Sequence, residues 1–191
     1  MVANSKPRRA TYADIESAPE HMVAEILNGE LVLSPRPAPR HQSVASVLGG
    51  VINGHFHGPS DPPEGGWWIL DEPEIRLSGD AYVPDVAGWR RERMPTLPNT
   101  AAIEIVPDWV CEVLSPSTQR SDRVIKMQVY AQAGVAWVWL VHPISRTVEV
   151  FRLDEGRWAM VDVWDEHHPD AEAARIPPFD ALPIKLARWW A

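Results

Sequence analysis

Apolar positions along this chain fall in short blocks, each closed by proline, glycine or an acidic residue. Nineteen prolines and eleven glycines supply the punctuation. Met22 to Leu27 and Glu30 to Leu33 are apolar runs around Asn28-Gly29. Asn-Gly predicts a hairpin, because both turn residues must tolerate positive φ. Thr11 to Ala18 predicts a short helix, with Thr11 as N-cap and Asp14 in its first turn. From His41 to Phe56, Val44, Val47, Leu48, Val51 and Ile52 recur at helical spacing, and Gly49 and Gly50 mark close packing there. Trp67 to Leu70, Glu74 to Leu77 and Ala81 to Trp89 are strand-like. Asp108 to Leu114 is a further strand, ended by Ser115-Pro116. Gln119 to Ala133 predicts a helix with Gly134 at C′. Val135 to Val141 is apolar throughout, which predicts a strand buried on both faces. Thr147 to Leu153 and Arg157 to Trp164 predict a last hairpin.

This order predicts an α/β (α+β) domain with one central mixed β-sheet flanked by helices. A length of 191 residues suits one domain. Residues 1–9 are polar and basic and predict a flexible N-terminal arm, leaving residues 10–191 as the single domain. One cysteine excludes an internal disulfide framework and a Cys-rich zinc site. It fits a reducing compartment, no apolar run is long enough to span a membrane, and no leader pattern opens the chain. A cytoplasmic protein is the expectation.

The net charge is −8, with no basic half or tail. That excludes a broad electrostatic grip on nucleic acid, so any such role must rest on a local site. Phosphate-loop and nucleophile-elbow patterns are both missing from the sequence.

Candidate chemistry sits where strands or packed helices should be apolar. Asp85 follows Pro84, Glu112 lies inside Trp109 to Leu114, and Lys126 lies on the helix after the Glu112 strand. A buried carboxylate is costly unless it is paired or binds a metal. Asp85 and Glu112 on adjacent strands would form a hard-oxygen site for Mg²⁺ or Mn²⁺, with the Val113 carbonyl as a further ligand. The helix of Lys126 packs back on the sheet and can bring its ammonium to the same place. Cys111, next to Glu112, faces the other side of the sheet and reads as a small buried hydrophobe.

Pro84-Asp85, Glu112-Val113-Leu114 and Lys126 together resemble the PD-(D/E)XK nuclease superfamily. A wider string is similar to the Uma-two family of bacterial restriction-endonuclease-like proteins. It comprises Leu27-Asn28-Gly29-Glu30-Leu31, His41, Pro84-Asp85-Val86, Glu112 to Thr118, Asp122, Lys126, Tyr130 and Gly134-Val135. Two positions depart from the pattern: Leu114 stands where a lysine would follow Glu112 by two, and His142 stands where aspartate usually precedes Pro143.

The resemblance implies a restriction-endonuclease-like core and a Mg²⁺- or Mn²⁺-dependent endonuclease acting on DNA. It implies that Asp85 and Glu112 hold the ion and that Lys126, moved onto the helix, assists the attacking water. Glu30 is the implied fourth acidic residue. Asp122, four residues before Lys126, would hold it in position, and His41 would lie near Glu30 and the substrate phosphate. Each residue also has a plain structural reading. Asp122 and Lys126 form an ordinary surface pair, Glu30 flanks a hairpin, Asp85 belongs to a turn, and His41 caps a helix.

Two further readings stand beside the DNA endonuclease. One is a non-catalytic scaffold of the same fold acting through protein association. The other is a phosphodiesterase on RNA. Trp67-Trp68 and Trp189-Trp190, among ten tryptophans, suit stacking on bases or a subunit interface, and the acidic chain favours the interface. Together with the superfamily's habit of cutting two strands with two sites, which the resemblance implies, they point to a homodimer. Arg90-Arg91-x-Arg93 is the expected phosphate contact.

Overall fold

The computed structural model describes residues 8–58 and 66–190. Residues 1–7 of the expected arm lie outside them. Arg8 and Arg9 are ion-paired with Asp14 and Asp80 at 2.7 and 2.9 Å.

Helix α1 is Tyr12–Glu16, capped by Thr11, whose N–H donates to Asp14 Oδ2 at 2.7 Å. Strands β1 (Met22–Leu27) and β2 (Glu30–Pro35) form the expected hairpin. Asn28 and Gly29 have φ of 54° and 79°, the conformation that Asn-Gly accepts most readily. Helix α2, Pro39–Phe56, starts with proline in its first turn, where the missing N–H costs nothing. Gly49 has no room for a side chain, since a Cβ there would lie 2.4 Å from Asp71 Oδ1. Gly50 has no such neighbour, so only one of the two glycines marks close packing.

The strands that follow are β3 (Trp67–Asp71), β4 (Ile75–Leu77), β5 (Asp80–Tyr82), β6 (Val86–Arg90) and β7 (Trp109–Val113). A π-helical stretch, Ser121–Lys126, continues as α3, Met127–Ala133, and stops at Gly134 in the left-handed region. Strands β8 (Trp137–His142), β9 (Thr147–Asp154) and β10 (Arg157–Trp164) complete the sheet. The C-terminal segment holds two short 3₁₀ turns, Ala171–Ala173 and Leu186–Trp189.

The α+β class is as expected, but the strands divide between two sheets rather than one. Six form a mixed sheet in the order β10-β9-β8-β7-β6-β3, with β7 and β8 parallel and the other pairs antiparallel. Four form an antiparallel sheet in the order β2-β1-β5-β4. The run from Ala81 to Trp89, which reads as one strand, is cut at Val83-Pro84-Asp85. Proline has no N–H for a ladder, and the chain leaves one sheet there and enters the other.

Each face of the six-stranded sheet carries its own core. Trp109, Cys111 and Val113 of β7 pack with α2 and the C-terminal segment on one face. Val110 and Leu114 pack on the other face with α3, Leu27 of β1 and Tyr82 of β5. Glu112 shares this second face, because strand side chains alternate. Among the described residues, no helix is long and apolar enough to cross a membrane.

Candidate active site

The break between β5 and β6 builds one side of the site. Asp85 Oδ2 accepts the Val113 N–H at 2.6 Å and lies 3.3 Å from His41 Nε2, which α2 delivers from its first turn. Just upstream, the Val83 N–H donates to Glu25 Oε1 at 2.9 Å. The bend that sets Asp85 is therefore fastened to β1 by a carboxylate and to β7 by Asp85 itself.

Helix and strand supply the other side. Lys126 Nζ sits 3.1 Å from Glu25 Oε1, 3.3 Å from Glu112 and 3.9 Å from Asp122. The Tyr130 hydroxyl, one turn further along, donates a hydrogen bond to Glu112 Oε1. All of these groups are buried: Glu112 is 2% exposed and Lys126 6%. Glu25, Glu112, Asp122 and Lys126 line a cavity of about 460 Å³ between the β1–β2 hairpin, the start of α2 and the loop after β7.

Its electrostatics are lopsided. Glu25, Asp85, Glu112 and Asp122 bring four carboxylates to a single ammonium. Burial pushes Glu112 well above the ordinary carboxylate range; Lys126 opposes this, and the other three carboxylates add to it. Burial likewise raises Asp122 to about 6, against the pull of Lys126. Burial works against the charge of Lys126, but Glu112, Glu25, Asp122 and Asp85 outweigh it and hold the ammonium well above the usual lysine range. Burial of the His41 ring lowers its pKa, yet Asp85, the Val113 backbone and Asp122 leave it raised. Burial is the main reason the uncharged form of Glu112 and Asp122 is favoured here, and the neighbouring carboxylates add to it.

That donor chemistry fits a hard divalent cation. Among the described residues no three His, Cys, Asp or Glu side chains are already arranged as a cage. An ion here would take few protein ligands and keep much of its water, as Mg²⁺ does. Asp85 and Glu112 line the cavity and suit that part.

The expected residues divide as follows. Asp85, Glu112, Lys126, Asp122 and His41 are brought together around one cavity. The Val113 backbone is there through its N–H. Glu30 is not: it is exposed, pairs with Leu27 beside the Asn28-Gly29 turn, and lies at the hairpin end away from the cavity. Glu25 takes the place expected of Glu30. Its signal was in the sequence, since it is a lone charge inside the apolar run Met22 to Leu27. His41 accordingly meets Asp85 rather than Glu30. Cys111 is fully buried on the opposite face, where burial raises its thiol pKa. The arginines at the end of β6 and just after it are engaged elsewhere. Arg90 and Arg91 lie over the Trp67 and Trp68 rings, and Arg93 pairs with Asp108 at 2.6 Å. Trp67 and Trp189 are 1% exposed and pack in the core, while their neighbours Trp68 and Trp190 are half-buried.

Tyr130→Phe removes the hydroxyl from Glu112 and leaves the methylene packing intact. A loss of about 1.5–3 kcal/mol in unfolding free energy is expected, the usual worth of a hydrogen bond to a charged group. Urea denaturation of the two proteins side by side checks it, and equal midpoints would count against the contact.

A family model described as "Uma2: Putative restriction endonuclease" matches residues 9–186. No curated protein matches the chain. Among solved structures, the chain is similar to a crystal structure of a "putative nuclease" from Anabaena variabilis. The two are 24% identical, the match covers 95% of this chain and 97% of that one, and the TM-score is 0.72. At that identity the likeness shows the shared fold.

Proposed function

This chain belongs to the Uma2 family, described as "Putative restriction endonuclease", and from that premise we propose that it is a metal-dependent endonuclease hydrolysing phosphodiester bonds in DNA. The observation that carries the reading is the cavity where Asp85, Glu112 and Lys126 converge with carboxylates in excess. Asp85 and Glu112 would hold Mg²⁺ or Mn²⁺. When bound, the ion supplies Lewis-acid polarisation of a phosphoryl oxygen and acidifies water.

The chain's own residues do the rest. Asp85 is fixed by the Val113 N–H and His41, so its free lone pairs face the cavity. Glu112 is fixed by Tyr130. Lys126, anchored by Glu25 and Glu112, places an ammonium beside the carboxylates. There it orients the attacking water and stabilises charge developing on the scissile phosphate. Asp122, 3.9 Å away, limits where that ammonium can move. Glu25 links the two halves, since the same oxygen accepts from Lys126 and from Val83.

Nicking of supercoiled plasmid in Mg²⁺ or Mn²⁺ tests the reading, with wild type, Asp85→Ala and Glu112→Ala purified identically. Wild type should nick, and each variant should fall to the background of a mock preparation. Equal nicking by all three would identify a contaminant, and full activity in Glu112→Ala would end this mechanism. Of the four tryptophans that motivate the scaffold reading, Trp67 and Trp189 belong to the core.

A further inference from the structure

Resting on the endonuclease reading above, we infer that the site takes an unpaired nucleic-acid strand in preference to a duplex. Depth is the first reason. Glu112 and Lys126 are 2% and 6% exposed, and they lie at the wall of a cavity of about 460 Å³. Cavities of roughly 300–1,000 Å³ take groups the size of a nucleotide. A duplex is a stiff convex rod with a major groove alone about 12 Å wide. To meet side chains so little exposed, one of its phosphates would have to leave the line of its neighbours, which base pairing and stacking resist. A single strand can bend and feed one phosphodiester inward.

Charge is the second reason. The cavity lining carries five acidic residues, Glu25, Glu72, Asp85, Glu112 and Asp122, against two basic ones, Arg36 and Lys126, a formal difference of −3. Lys126 is already committed to three carboxylates. A duplex brings one negative charge per about 1.7 Å of its axis, and proteins that hold it make several Lys or Arg contacts. The arginines at the end of β6 and just after it lie outside the cavity lining, Arg90 and Arg91 over tryptophan rings and Arg93 paired with Asp108. An unpaired strand brings only about one charge per 3.4 Å along that axis, half the density of the duplex.

The rim gives the third. Pro35, Pro37 and Pro116, with Val23, add apolar surface to the cavity lining, and Pro35 and Pro116 are exposed. A base freed from its stack has such a surface to lie against, whereas the bases of a duplex are shielded by their own stacking. Arg36 is held in the same lining by a hydrogen bond from Nη2 to the Glu20 carbonyl at 3.0 Å. There its charge meets a phosphate next to the one being cut.

The test uses wild-type protein with Mn²⁺ and one labelled DNA sequence in three forms: single strand, perfect duplex, and duplex with a central mismatched run. The single strand and the mismatched run should be cut roughly 10- to 100-fold faster than the perfect duplex, because unpairing costs a few kcal/mol that only the duplex must meet. Glu112→Ala should cut none of them. Duplex cleavage as fast as single-strand cleavage would overturn the strand preference and leave the nuclease reading standing. If no form is cut, the nuclease reading fails, and binding decides the strand preference separately. Fluorescence anisotropy with Ca²⁺ in place of Mn²⁺ should then show tighter binding of the single strand. Equal binding, tighter duplex binding or no binding would overturn the preference.

Discussion

Lys126→Met is expected to lower the unfolding free energy by about 3–5 kcal/mol at neutral pH, the usual cost of leaving a buried charge without its partner. The ammonium stands among Glu25, Glu112 and Asp122, all buried, and it also reaches the Val83 carbonyl at 3.4 Å. Methionine fills the same space and returns none of the charge. The deficit should depend on pH in one direction only. Burial already raises Glu112, and raises Asp122 from 3.8 to about 6 while Lys126 opposes it. Without Lys126 these carboxyls rise further. A carboxyl whose folded pKa exceeds its unfolded value binds more protons when folded, so stability falls as pH rises between the two values. The variant should approach wild type below the ordinary carboxyl pKa of about 4 and fall away from it towards neutrality. Thermal melts across that range check the slope, and a variant equal to wild type at neutral pH would mean the cluster is solvated. Nicking, measured at a temperature where circular dichroism shows the variant folded, should drop by about 10²–10³-fold, as when one preorganised donor is lost from a transition state.

The local elements were legible wherever one neighbourhood decides them. Asn28-Gly29, the Thr11–Asp14 cap and the Gly134 stop all follow from local backbone preferences. The division into two sheets was not legible, because pairing of β1 with β5 and of β3 with β6 is set by contacts distant in sequence. A warning was present at Pro84, which a continuous central strand does not tolerate. The polar cluster was half legible. Asp85, Glu112 and Lys126 stand out because each offends an apolar pattern, and family resemblance fixes their spacing. Glu25 offends its strand in the same way, whereas Glu30 stands out by following the Asn28-Gly29 turn and by the family resemblance. Only the hairpin register separates the two, with Glu25 opposite Val32 and Glu30 opposite Leu27 at the turn end. The π-helical form of Ser121–Lys126 had no signal in helical periodicity. Stretches of that kind collect at functional positions, and this one carries both Asp122 and Lys126.

Phe179→Ala should cost about 3–5 kcal/mol of stability, the range for deleting a buried aromatic side chain. Phe179 is fully buried, and its ring centroid lies 4.8 Å from those of Phe56, Trp67 and Trp109 and 5.6 Å from that of Trp139. It thus joins α2, β3, β7 and β8 to the C-terminal segment, which is fastened alongside by Trp139 Nε1 donating to the Pro177 carbonyl at 2.7 Å. Phe179→Leu keeps most of the volume and should cost less than about 1.5 kcal/mol. Urea denaturation separates the two variants, and a loss under about 1 kcal/mol for alanine would mean that the C-terminal segment unfolds apart from the sheet. The effect on chemistry should differ in kind from that of Lys126. Strand β7 turns Trp109 towards Phe179 and Glu112 towards the cavity, on opposite faces of the same sheet. Phe179→Ala, kept folded at low temperature, should therefore nick plasmid at a rate per folded molecule close to that of wild type. A rate that fell with the mutation while the protein stayed folded would show that packing on the far face positions Glu112.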